Sequence, residues 1–170
     1  MGRYHAILFD MDGTLLDTLT DMQDAVNHVL AAHRLPLRTR EEVRRFVGNG
    51  AGPLIHRALP EGYPQEQKVL AEYRAYYQAH NCIRTCPYPG IPELLEQLRQ
   101  RGLKLAVVSN KPDETTRTLA ARFFPGVTAL GQRDGIPSKP APEMVWSAME
   151  QLGADARHAL YCLLYTSDAA

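Results

Sequence analysis

The sequence has no surplus of charge: Lys plus Arg and Asp plus Glu each number 19. A net charge of zero gives no electrostatic reason to expect nucleic acid or an anionic membrane as a partner, so any anion site must be local. Cysteine is scarce, at Cys82, Cys86 and Cys162. No His or Cys cluster completes a zinc site around Cys82 and Cys86, and the six scattered histidines read as structural or surface residues. Long apolar runs are missing too. "MGRYHAILFD" is too short in apolar residues for a signal peptide or a membrane span. Met1-Gly2 lacks the Ser or Thr at position 6 that a myristoylation motif needs, because position 6 is Ala. These absences point to a cytoplasmic protein of ordinary globular composition, 45% hydrophobic and 22% charged. Its 170 residues suit one domain, or one with a modest insertion.

Along the chain, "HAILF" is short and aliphatic, as a buried parallel strand is. After Thr18 the period changes. Met22, Ala25, Val26, Val29 and Leu30 form one helical face that ends at Leu35-Pro36. Thr39 and Glu42 make a capping box for a second helix through about Phe46. "GNGAG", residues 48 to 52, reads as a turn. Val69, Leu70, Tyr73, Tyr76 and Tyr77 mark a third, long helix. The segment 18–81 is thus all-helical and interrupts an α/β pattern made of 1–17 and 82–170. That pattern resumes with a helix from Pro92 that turns Leu94, Leu95 and Leu98 inward and stops at Gly102. The strand "LKLAVVSN", a helix from Pro112 to Phe123, a weaker strand "GVTAL", a helix from Pro142 to Leu152 and a strand "HALYCLLY" follow. The expected fold class is α/β, a doubly wound parallel sheet with an inserted helical cap.

In open parallel sheets, sites form beyond the carboxyl ends of the strands. The first strand ends in "DMDGT", with Asp10 and Asp12 one residue apart; Ser109 and Asn110 end another, and Lys139 follows the third. A divalent cation would relieve the repulsion between the carboxylates, and hard oxygen ligands favour magnesium. The hydroxyl of Ser109 and the charge of Lys139 suit a phosphate. Lys111, directly after Asn110, rivals Lys139 for that part. Asp17 reads as a hinge or helix-start residue.

"DMDGTLLDT", "VVSNK" and "SKPAP" resemble the first three motifs of the haloacid dehalogenase superfamily. The pattern over roughly residues 4 to 161 is similar to its phosphoglycolate phosphatase-like branch, which has a Rossmann-like core and a helical cap after the first motif. The resemblance implies a magnesium-dependent phosphatase. Asp10 would be the nucleophile that becomes an aspartyl phosphate, and Asp12 the general acid and base. Asp10 and Asp12 would also hold the metal. Thr14, Ser109, Asn110 and Lys139 would bind phosphate. The cap would open and close over the site, with "GNG", Gly48, Asn49 and Gly50, as its substrate loop. The implied partner is a small phosphorylated metabolite, most simply 2-phosphoglycolate.

Rival readings remain. A dehalogenase has no need of Asp12, because halide leaves without a proton. A phosphosugar phosphatase or mutase would keep it. A non-catalytic phosphate-binding fragment is suggested by the tail: the family's fourth motif resembles "YVGDSxxD", whereas Tyr161 here precedes "CLLYTSDAA". Leu164 then stands where the first acid of that motif falls, and Asp168 is in register with the second by coincidence. An apolar Leu164 offers a cation no oxygen, so a poor catalyst is expected.

Overall fold

The computed structural model describes residues 3–163. In chain order it comprises β1 (Ala6–Phe9), β2 (Leu16–Asp17), α1 (Leu19–Ala32), α2 (Arg40–Phe46), α3 (Ala51–Ala58), α4 (Glu66–His80) and β3 (Cys86–Pro87). Then come α5 (Ile91–Gln100), β4 (Lys104–Pro112), α6 (Asp113–Phe123), β5 (Thr128–Gln132), α7 (Glu143–Leu152) and β6 (Ala159–Cys162). The chain divides into two compact units, one of residues 1–17 with 86–170 and the other of Thr18–Thr85. Leu164 and Asp168 lie outside the described residues.

In the first unit a four-stranded parallel sheet runs β5-β4-β1-β6. All four residues of β1 are buried, which is why "AILF" shows no alternation of apolar and polar residues. Leu8, Ala106, Val108 and Leu130 form a core layer with Met144 and Ala148 of α7. The α7 stripe centres on Met144 and Ala148, with Val145, Met149 and Leu152 at its margins. On α5 the expectation for Leu94 fails. Leu95 is buried, whereas Leu94 is 41% exposed, because the inward stripe of this short helix passes through Ile91, Leu95 and Leu98.

The second unit is all-helical around its own core. Val26, Val29 and Leu30 of α1 meet Val43 of α2, Leu54 and Ile55 of α3, and Val69 and Tyr73 of α4. The capping box forms as expected: Thr39 Oγ1 accepts from the Glu42 N–H at 3.3 Å, and the Glu42 carboxylate accepts from the Thr39 N–H at 2.8 Å. The "GNGAG" turn is shorter than expected, because Ala51 and Gly52 open α3, a helix that the turn residues concealed. Pro53 is tolerated there because first-turn donors need no helical partner. Asp21, buried near the start of α1, accepts hydrogen bonds from the backbone N–H groups of Ile83, Arg84 and Thr85 and from the Thr85 hydroxyl, at 2.8–3.1 Å.

Candidate active site

The site grows from the end of β1. The Asp10 N–H donates to the Cys162 carbonyl at 3.0 Å, which continues the pairing of β1 with β6 one step past the strand. The chain then turns sharply. The Leu15 and Leu16 N–H groups both donate to the Met11 carbonyl at 3.0 Å, and Gly13 donates to the Leu16 carbonyl at 2.9 Å. Gly13 sits at φ 77°, a left-handed conformation that a side chain would strain. This turn places Asp12 just beyond Asp10. The Thr14 amide, expected on a phosphate, donates to Met11 at 3.3 Å.

Lys139 reaches the pair from the loop after β5. Its ammonium donates to Asp10 Oδ1 at 2.7 Å, to the Val108 carbonyl at 3.0 Å and to the Tyr161 hydroxyl at 2.9 Å. Asn110 holds Lys139 from behind: its amide donates to the Lys139 carbonyl at 3.0 Å, and its carbonyl accepts the Lys139 N–H at 2.8 Å. Ser109 Oγ accepts the Lys111 N–H at 3.2 Å. Lys111 also turns inward, its side chain 2% exposed, with Nζ 3.3 Å from Asp12 Oδ1. The rivalry between the two lysines thus resolves with both at the pair, Lys139 on Asp10 and Lys111 on Asp12.

Three consecutive buried polar residues, Ser109, Asn110 and Lys111, do not fit a regular strand, whose side chains alternate. The register of β4 on β5 shifts between Val108 and Pro112, and such an irregularity re-aims side chains. The sequence holds no plain signal for that shift, so spacing alone does not turn Lys111 inward. Tyr161 carried no signal as a site residue at all. Gly48, Asn49 and Gly50 lie in the other unit between α2 and α3, with Gly48 at φ 129° and Gly50 at φ 88°.

Burial pushes the Asp10 carboxyl above its ordinary value, against the pull of Lys139 and with a smaller push from Asp12. Burial disfavours the Lys139 cation, but Asp10 and then Tyr161 outweigh it and hold the ammonium above its ordinary value. Lys139 therefore stays charged, and it is burial that lifts Asp10 despite the ammonium beside it. Two neighbouring carboxylates at a strand end are hard oxygen donors, and their chemistry fits a small divalent cation held by Asp10 and Asp12. Among the described residues no group of three or more His, Cys, Asp or Glu could hold a metal ion. Magnesium suits such a site, since one or two carboxylates commonly hold it with water and substrate phosphate completing its shell.

Residues 7–162 match the family profile described as haloacid dehalogenase-like hydrolase. The chain belongs to the haloacid dehalogenase-like hydrolase family. It is 37% identical over 164 residues to the N-acetylmuramic acid 6-phosphate phosphatase of Pseudomonas aeruginosa, covering 94% of this chain and 73% of that one. It is 35% identical over 169 residues to the phosphoglycolate phosphatase of Pseudomonas syringae pv. syringae, covering 91% of this chain and 60% of the relative. A crystal structure of a candidate phosphoglycolate phosphatase from Lactobacillus delbrueckii subsp. bulgaricus superposes with a TM-score of 0.88 at 36% identity, covering 94% of this chain and 78% of that one. The parallel sheet and helices are those of the haloacid dehalogenase-like hydrolases. Within that family the chain is phosphoglycolate phosphatase-like and a phosphoric monoester hydrolase.

Proposed function

We propose that the protein hydrolyses a small phosphomonoester, 2-phosphoglycolate foremost, through an aspartyl phosphate on Asp10 with magnesium as cofactor. The observation that carries this reading is the buried Asp10 carboxylate, paired with Lys139 and set beside Asp12 at the end of the first strand. Asp10 forms a bond to phosphorus as the ester P–O bond breaks, and Asp12 gives a proton to the departing alkoxide. Asp12 then takes a proton from water, which attacks the phosphorus and frees Asp10. Lys139 offsets charge on the phosphoryl oxygens, and Asn110 keeps it in place. The Ser109 hydroxyl lies within the same cluster as a donor to the phosphate. Magnesium, when bound, neutralises charge on the phosphoryl group.

The three free cysteines suit a reducing, cytoplasmic setting, and no helix among the described residues is long and apolar enough to cross a membrane. The N-acetylmuramic acid 6-phosphate phosphatase relative supports a second reading, a sugar-phosphate substrate. The test is hydrolysis of p-nitrophenyl phosphate with magnesium, with and without EDTA, followed by a substrate screen. Chelation should stop turnover, and Asp10→Asn should lower kcat by about 10⁴ or more. Retained activity in Asp10→Asn removes the nucleophile assignment. Higher kcat/KM on hexose phosphates selects the sugar reading.

A further inference from the structure

Lys111 is the one buried cation at this cluster to which the proposed reaction gives no task. It is more than a solvated loop lysine, because its position is built. Its N–H donates to Ser109 Oγ at 3.2 Å, and its carbonyl accepts from Thr116 Oγ1 at 3.2 Å. Gly131 of β5 lies so close that a Cβ there would stand 2.6 Å from the Lys111 carbonyl oxygen. A strand irregularity, two hydroxyl contacts and a glycine together turn this ammonium inward, to 3.3 Å from Asp12 Oδ1.

Asp12 is the group that meets the ester's bridging oxygen, so a cation beside it lies on the leaving-group side, while Lys139 lies on Asp10. We infer that Lys111 binds a second anionic group on the alcohol half of the substrate, a carboxylate attached to the same carbon that bears the phosphate oxygen. This rests on the phosphatase reading and narrows its substrate class. In an ester of a 2-hydroxy acid, a carboxylate oxygen and the bridging oxygen are separated by two carbons. An ammonium with three donors can serve both that carboxylate and Asp12 at once. A sugar 6-phosphate puts a hydroxyl-bearing ring there, which gives Lys111 no charge to pair with. Burial sharpens the choice, since a charge pair is stronger where water is excluded.

The experiment compares kcat/KM for 2-phosphoglycolate and for 2-hydroxyethyl phosphate, which has the same length and a neutral leaving group, in the full chain with magnesium. The unaltered chain should prefer 2-phosphoglycolate. Lys111→Met should lower the ratio of the two values tenfold or more, chiefly through KM for 2-phosphoglycolate, and Lys111→Arg should keep most of it. An equal fall on both esters would overturn the inference and leave Lys111 as a counter-ion for Asp12. Should Lys111→Met fail to fold, glycolate against ethylene glycol as inhibitors of the unaltered chain decides the matter: inhibition by glycolate alone supports it, and equal or absent inhibition overturns it. Turnover of 2-hydroxyethyl phosphate without a preference for 2-phosphoglycolate sinks the inference but keeps the phosphatase. No turnover of either ester overturns the inference, and hydrolysis of p-nitrophenyl phosphate by the same preparation then decides whether the phosphatase reading stands.

Discussion

Asp113 shows how one side chain ties the start of α6 to β5. Its Oδ1 accepts the Gly131 N–H at 2.8 Å, and its Oδ2 accepts from Arg117 Nε at 2.7 Å. Burial pushes this carboxyl up, but the Gly131 N–H, then Arg117 and Arg133, outweigh it and hold the group below its ordinary 3.8. With the folded value depressed, the unfolded chain binds more protons below 3.8. The stabilisation is therefore complete above that pH and is lost as pH falls through the folded value. Asp113→Asn should lower Tm by a few degrees at neutral pH, and the gap to the unaltered chain should close as pH drops below 3.8, read by circular dichroism melts. A gap that stays constant to low pH would place the effect in packing. At this scale the sequence was legible where charge and spacing coincide, as at Asp10, Asp12 and Lys139. It was illegible where a side chain's direction depends on strand register, as at Lys111, and where an ordinary tyrosine, Tyr161, becomes a partner through a fold contact.

Among elements, periodic helices were easiest to read. The faces of α1 and α4 and the capping box of α2 follow from local spacing. The shortest pieces escaped: α3 hides behind Gly52 and Pro53, and β2 and β3 contain two residues each, below any repeating pattern. Asp21 joins the two ends of the helical unit, contacting residues more than sixty positions away in sequence. Removing it leaves the N–H groups of Ile83, Arg84 and the buried Thr85 without their acceptor. Asp21→Ala should cost about 2–4 kcal/mol of stability, measured as a lower urea midpoint at unchanged m-value. A loss under about 0.5 kcal/mol, the size of an ordinary surface change, would show that water replaces the carboxylate there.

At the scale of the molecule, one core among the described residues gathers around Val26, Leu54, Ile55 and Tyr73, and another around Leu8, Val108 and Met144. The break from period 2 to period 3.6 after Thr18 was visible because the two kinds of structure repeat differently. The pairing order β5-β4-β1-β6 was not, since no short strand names its neighbours. A core of its own and ends tied by Asp21 lead to an expectation for residues 18–85 expressed without the rest. They should show a helical circular dichroism spectrum and melt cooperatively. A random-coil spectrum would mean that the helices depend on the sheet-bearing unit for their order.

The paired two-residue strands at the junction have a wider consequence. Leu16 lies opposite Pro87 and Asp17 opposite Cys86, so the outgoing and returning chains stand side by side in an antiparallel ladder. The sheet-bearing unit thus presents a socket of constant width to whatever is plugged into it. Lengthening the plug is cheap, because doubling a loop adds only about 0.6 kcal/mol of closure entropy. An insert of another length can therefore replace residues 18–85 while both ends of this ladder stay paired.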